Sequence, residues 1–113
     1  MIRTTEMPDN VAILEITQAR LTAVAAPEFK QQVLAQIEAG HTRLVLDLSN
    51  VSFIDSTGLG ALVGILKRIG NRGDVTISGL QPAPAQMFRL TRMDKVFRIF
   101  RTSGEAASAL ASG

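Results

Sequence analysis

Apolar runs of strand length alternate with amphipathic stretches of helical spacing along the whole chain, and this alternation restricts the fold more than any other feature. "VAILEIT" (Val11–Thr17), "RLVLDL" (Arg43–Leu48), "DVTISGL" and "VFRIF" (Val96–Phe100) read as strands, with an edge strand at Ile2–Glu6 and a turn at "MPDN" before them. "APEFKQQVLAQIEAG", "GLGALVGILKRIG", "PAPAQMFRLTRM" and "TSGEAASALAS" read as helices between and after them. Strand–helix repetition of this kind predicts an α/β domain with parallel pairings and right-handed crossovers. The expected architecture is a mostly parallel or mixed sheet of four to five strands with alternating helices. A chain of 113 residues can bury one core but not two, so a single domain over 1–113 is expected.

Local signals set the helix limits. Pro27 suits a first turn, Phe29, Val33, Leu34 and Ile37 share one face, and Gly40 suits a left-handed stop. The second helix should turn Leu59, Leu62, Val63, Leu66 and Ile69 to the core and end at Gly70–Asn71 and Gly73. The third is entered through Pro82 and Pro84, with Met87, Phe88 and Leu90 expected inward. Thr102 followed three residues later by Glu105 is a capping-box pattern for the last helix. "VSFI" should continue the buried run of the second long strand after a turn at Ser49–Asn50.

Composition removes several functions. There is no Cys and only one His, His41, so a zinc centre would need at least three carboxylates and no metal or cofactor is expected. No apolar run approaches the ~18 residues of a membrane helix. The start, "MIRTTEMPDN", lacks the apolar region of a signal peptide, so a cytoplasmic protein without membrane attachment is expected. Charge is uneven: residues 1–66 carry four basic and seven acidic side chains, residues 67–101 eight basic and two acidic. Such asymmetry can mark a nucleic-acid face. With no Tyr or Trp and five Phe at core-like positions, stacking platforms are missing, and solvated helix faces explain the charge without direct nucleic-acid binding.

The stretch "FIDSTGLGALVG" places Asp55, Ser56, Thr57 and Gly58 where a strand hands over to a helix. Such a trio can be a helix cap, a nucleophile or a switch. A nucleophile elbow wants Gly two residues before the Ser, where Ile54 stands, and the lone His41 has no reason to lie near Ser56. A receiver-type phosphoacceptor at Asp55 would need further carboxylates after the first parallel strand, where "EITQAR" offers none after Glu15. A P-loop needs several glycines and a Lys before the helix. Catalysis is therefore poorly supported, and a small serine hydrolase is a distant alternative. Along the helix, Thr57, Gly60, Ala61 and Gly64 lie on or near the face opposite the expected core. Its first two turns hold no charge, and each Gly costs up to about 1 kcal/mol of helix stability relative to Ala. Either another element covers this face or a partner approaches it closely.

"LVLDLSNVSFIDSTGLGALVGILKRI" closely resembles the central segment of the anti-sigma factor antagonists, single-domain bacterial STAS proteins. "GDVTISGLQPAPAQMFRLTRMDKVFRIF" is similar to their continuation, and the resemblance runs from about Leu44 to Leu110. It implies a regulatory protein rather than an enzyme. The Ser after the Asp, here Ser56, would be phosphorylated by a partner serine kinase that is itself the anti-sigma factor, with Thr57 the second candidate. A PP2C-type phosphatase would reverse the modification, and ATP and Mg²⁺ would belong to the kinase. Partner-binding residues implied or read here are Asp55, Ser56, Thr57, Gly58, Gly60, Ala61, Gly64 and Thr22. Family members usually carry a Gly-x-Leu-Asp-like stretch after the second strand. "TQARLTAVAA" departs from it, with Gln18 near the Gly position, Leu21 at the Leu and Thr22 where the Asp would be. The same fold could also switch partners to control secretion or another signalling output.

Overall fold

The computed structural model describes residues 1–112; Gly113, the last residue of the expected domain, lies outside them. In chain order the elements are β1 (Ile2–Met7), β2 (Val11–Ile16), β3 (Arg20–Leu21), α1 (Ala26–Glu38), β4 (Arg43–Asp47), β5 (Phe53–Ile54), α2 (Ser56–Ile69), β6 (Asp74–Ser78), α3 (Pro82–Leu90), β7 (Arg98–Phe100) and α4 (Ser103–Ser112). Five strands form one mixed sheet in the order β1-β2-β4-β6-β7. β1 and β2 are an antiparallel hairpin closed by Pro8–Asn10, where Asp9 and Asn10 adopt positive φ; the remaining pairs are parallel. This is the mixed α/β sheet that the alternation of segments predicts.

Strand alternation divides the core in two. Ala12, Leu14 and Ile16 of β2, Leu44 and Leu46 of β4 and Val75 and Ile77 of β6 pack with Phe29, Val33 and Ile37 of α1 and Leu59, Leu62 and Ile65 of α2. On the other face Val11 and Val45 meet Ala106, Ala107 and Leu110 of α4. The capping box forms as expected: Glu105 N–H donates to Thr102 Oγ1 at 3.1 Å, and Thr102 N–H donates to Glu105 Oε1 at 3.3 Å.

Several expectations need correction. "VSFI" does not extend the sheet. Val51 is buried, but Phe53 and Ile54 pair in parallel with Arg20 and Leu21 in a separate two-stranded ladder. Successive residues point to opposite sides of a strand, so Ile54 is buried while Phe53 stays 39% exposed. In α2 the inward arc includes Gly58, Ala61 and Ile65, because the helix packs against α1 as well as the sheet; Val63 and Leu66 are only half-buried. Leu90 is 74% exposed rather than inward. It follows the buried Phe88 by two helical steps, about 200° around the axis. The last strand is shorter than expected, Arg98–Phe100, since the amides of Val96 and Phe97 both donate to the Met93 carbonyl and hold those residues in the turn that follows Met93–Lys95.

Removing the cap hydroxyl with Thr102→Ala should cost about 1 kcal/mol, read by chemical denaturation as a lowered midpoint with an unchanged slope.

Candidate functional site

Asp55 is where the short ladder becomes α2, and its carboxylate does two things. Oδ1 accepts from the Gly58 N–H at 2.9 Å, capping the helix. Oδ2 accepts from the Ala23 N–H at 3.1 Å, which fastens the turn between β3 and α1 to the same point. The Asp55 N–H donates to the Leu21 carbonyl at 3.2 Å, and the Ser52 N–H to the Ala19 carbonyl at 2.8 Å. The segment from Ala19 to Ala23 is thus bonded along its length to the approach to α2. Gly58 is buried against it, and a Cβ there would collide with the Leu21 carbonyl.

Because Asp55 is the cap, Ser56 is not. Ser56 opens α2 with its side chain exposed, and its hydroxyl makes no hydrogen bond among the described residues. The first backbone bond of the helix is the Leu59 N–H to the Asp55 carbonyl, at 3.0 Å. The amides of Ser56 and Thr57 precede it and have no partner within the helix. Thr57 is exposed as well. Thr22, half-buried, lies in the turn that Asp55 holds, its carbonyl accepting from the Ala25 and Ala26 amides.

The other expected partner-binding residues separate into three groups. Gly60 is exposed, and a Cβ there would meet nothing within 4 Å. Gly58 and Ala61 are buried; Gly58 lies against β3 and positions the surface, whereas Ala61, in the packing of α2, still borders the groove beside it. Gly64 is half-covered by Lys30 of α1, whose Nζ would lie 2.7 Å from an added Cβ. α1 therefore covers the far part of the small-residue face. What stays open is a groove of about 410 Å³ between the two helices, bordered by Pro27, Lys30 and Leu34 on one side and Thr57, Gly60 and Ala61 on the other.

Three exposed apolar side chains near this end were not among the expected binding residues, and one of them, Leu90, was expected inward. Val24, next to the Ala23 that Asp55 holds, is 93% exposed. Phe53 lies under the Arg20 guanidinium at 4.6 Å, and with Leu90 it borders a groove of about 290 Å³ that also includes Ile54 and Met87. Leu90 and Phe53 were legible from helical phase and strand alternation; Val24 carries no such signal. His41 precedes β4 at its N-terminal end, whereas Ser56 lies past the C-terminal end of that strand, so the chain places no imidazole base beside the hydroxyl. Among the described residues no helix is long and apolar enough to cross a membrane, and no three acidic or His side chains gather as a metal-ligand set.

Comparison with known proteins places the fold in a family. The family model of the STAS domain matches residues 3–106. The anti-sigma-B factor antagonist of Listeria monocytogenes is 32% identical over 87 residues, which is 75% of each chain. The crystal structure of an anti-sigma factor antagonist from Mycobacterium paratuberculosis superposes with a TM-score of 0.84 at 29% identity, covering 97% of this chain and 94% of that one. The Bacillus cell fate determinant SpoIIAA, solved in its phosphorylated form, shares the fold at 16% identity, with a TM-score of 0.70 over 96% of this chain and 98% of that one. The chain belongs to the STAS domain family, and proteins named anti-sigma factor antagonists are among the relatives and solved structures it resembles.

Proposed function

We propose that this chain is an anti-sigma factor antagonist whose Ser56 end docks on an anti-sigma factor serine kinase and so frees the sigma factor. The kinase phosphorylates Ser56, the phosphorylated chain no longer binds, and a PP2C-type phosphatase restores it. The chain is ligand and substrate in this cycle, and the catalytic groups belong to its partners. One observation carries the reading: Asp55 already caps α2, leaving the Ser56 hydroxyl exposed and unbonded at the first helical position. A serine needed for the fold would be spent on the cap. Kinship with proteins named anti-sigma factor antagonists supports the same role.

The physics of the switch follows from that position. A phosphate adds about −1.5 to −2 charges and three acceptor oxygens. At a helix N-terminus the free amides and the dipole accommodate it, so the fold should persist. At a docked interface the same group would be desolvated beside the Asp55 carboxylate, which is costly. The exposed Val24, Phe53 and Leu90 supply apolar area around the hydroxyl, and Gly60 lets a partner approach the helix backbone.

Treating the chain with serine kinases encoded in its own genome and mapping the phosphopeptide should place the phosphate on Ser56; phosphate on Thr57 alone would refute the assignment. Ser56→Asp should weaken kinase binding by at least ~1.4 kcal/mol, a factor of ten, while Ser56→Ala keeps it. Calorimetry giving one affinity for both variants and the parent removes the switch.

Gly60→Gln tests the docking face without disturbing packing. Its side chain enters open space, and helix propensity should raise stability by up to about 1 kcal/mol. Affinity for the kinase should nonetheless fall about tenfold, because the new side chain holds the surfaces apart. Unchanged affinity in a titration run beside the thermal melt would move the interface off α2.

A further inference from the structure

One charged side chain borders the groove between α1 and α2, and the chain gives it no counter-charge. Ala26, Leu34 and Ala61 make the groove largely apolar, and of its lining residues only Lys30 carries a charge. Lys30 is not splayed into solvent. It is half-buried, and the end of its side chain lies on α2 at Gly64, where an added Cβ would be 2.7 Å from Nζ, 2.8 Å from Cε and 3.6 Å from Cδ. A glycine inside a helix costs up to about 1 kcal/mol relative to alanine, and here it leaves the notch that the lysine tail fills.

Nothing on either helix neutralises this ammonium. α2 contains no acidic residue, and α1 contains two, Glu28 and Glu38. Glu38 is paired with Arg68 at 2.8 Å. Glu28 is two residues from Lys30, about 200° away around the helix, so the two side chains do not face each other. The ion pairs among the described residues are Arg3–Glu15, Arg68–Glu38 and Arg98–Asp74, and none includes Lys30. A cation held against the protein surface gains more from an incoming anion than one fully surrounded by water. Packing on Gly64 alone would be served as well by methionine, which has similar reach and no charge.

We infer that Lys30 determines specificity at the docking face by receiving an aspartate or glutamate side chain of the docked kinase in the groove between α1 and α2. The partner's carboxylate pairs with Nζ beside Gly64, and the apolar part of the same side chain lies on Leu34 and Ala61. The kinase is the partner proposed above, so this contact rests on that reading and adds to it the sign of the charge that the partner must present.

Titrations of Lys30 variants with the kinase that phosphorylates Ser56 test the contact. Lys30→Met keeps the reach of the side chain and removes its charge, and affinity should fall about tenfold. Lys30→Gln, a second neutral variant, should lose as much, whereas Lys30→Arg should stay within about twofold of the parent. Raising the salt concentration should weaken the parent more steeply than Lys30→Met. Parent-like affinity of either neutral variant overturns the contact, and so does a salt dependence that Lys30→Met shares with the parent. Ser56→Asp, measured in the same series, separates the two readings. If it weakens binding while the neutral variants do not, the switch stands and the Lys30 contact falls; if it binds as the parent does, the switch itself fails.

Discussion

The two hydrogen bonds accepted by the Asp55 carboxylate organise this end of the molecule. One oxygen closes the first turn of α2 through Gly58, the other holds the turn before α1 through Ala23. Segments far apart in sequence are thereby fixed to a single side chain. The close approach of Gly58 to the Leu21 carbonyl completes the arrangement, since any side chain there would push β3 away. With the cap supplied by Asp55, the next residue is free of structural duty. Ser56 can therefore take a modification without removing a bond that the helix needs.

In the proposed cycle, that separation is what would let a phosphate on Ser56 act on association alone. The sheet and its two buried layers lie behind the site, and none of their packing involves the Ser56 side chain. A helix N-terminus tolerates anions, with charge–dipole effects of about 0.3–1 kcal/mol at exposed positions. Burying a new charge in an interface without a partner costs more than that, because desolvation is not recovered. The same phosphate is thus mild for folding and severe for docking. The proposed docking would use the exposed apolar side chains Val24, Phe53 and Leu90 at this end of the molecule.

Most of the fold is legible in the sequence because strand-length apolar runs in β2, β4 and β6 and helical apolar patterns in α1 and α2 are strong. The capping box at Thr102 and Glu105 and the positive φ at Gly40 follow from local chemistry alone. What local reasoning misses is set by neighbours. The phase of α2 shifts toward Ala61 and Ile65 because α1 packs on that side, and the Lys30 side chain lies over Gly64 for the same reason. The short ladder of Arg20–Leu21 with Phe53–Ile54 joins segments too brief to announce a partner. At the site, the Asp-Ser-Thr-Gly string leaves the capping residue open between Asp55 and Ser56. Only the geometry assigns it to Asp55, and only the exposure of Gly60 separates it from the buried Gly58 and Ala61.

The account stands most directly on what stoichiometric phosphorylation of Ser56 does to folding and to binding in the same preparation. Thermal melts and kinase titrations of the modified and unmodified chains, run side by side, measure both. The account predicts melting temperatures that differ by no more than a few degrees, as a change of about 1 kcal/mol would give, together with at least a tenfold loss of affinity. Equal affinities would contradict it, and so would a collapse of the melt that accounts for the lost binding.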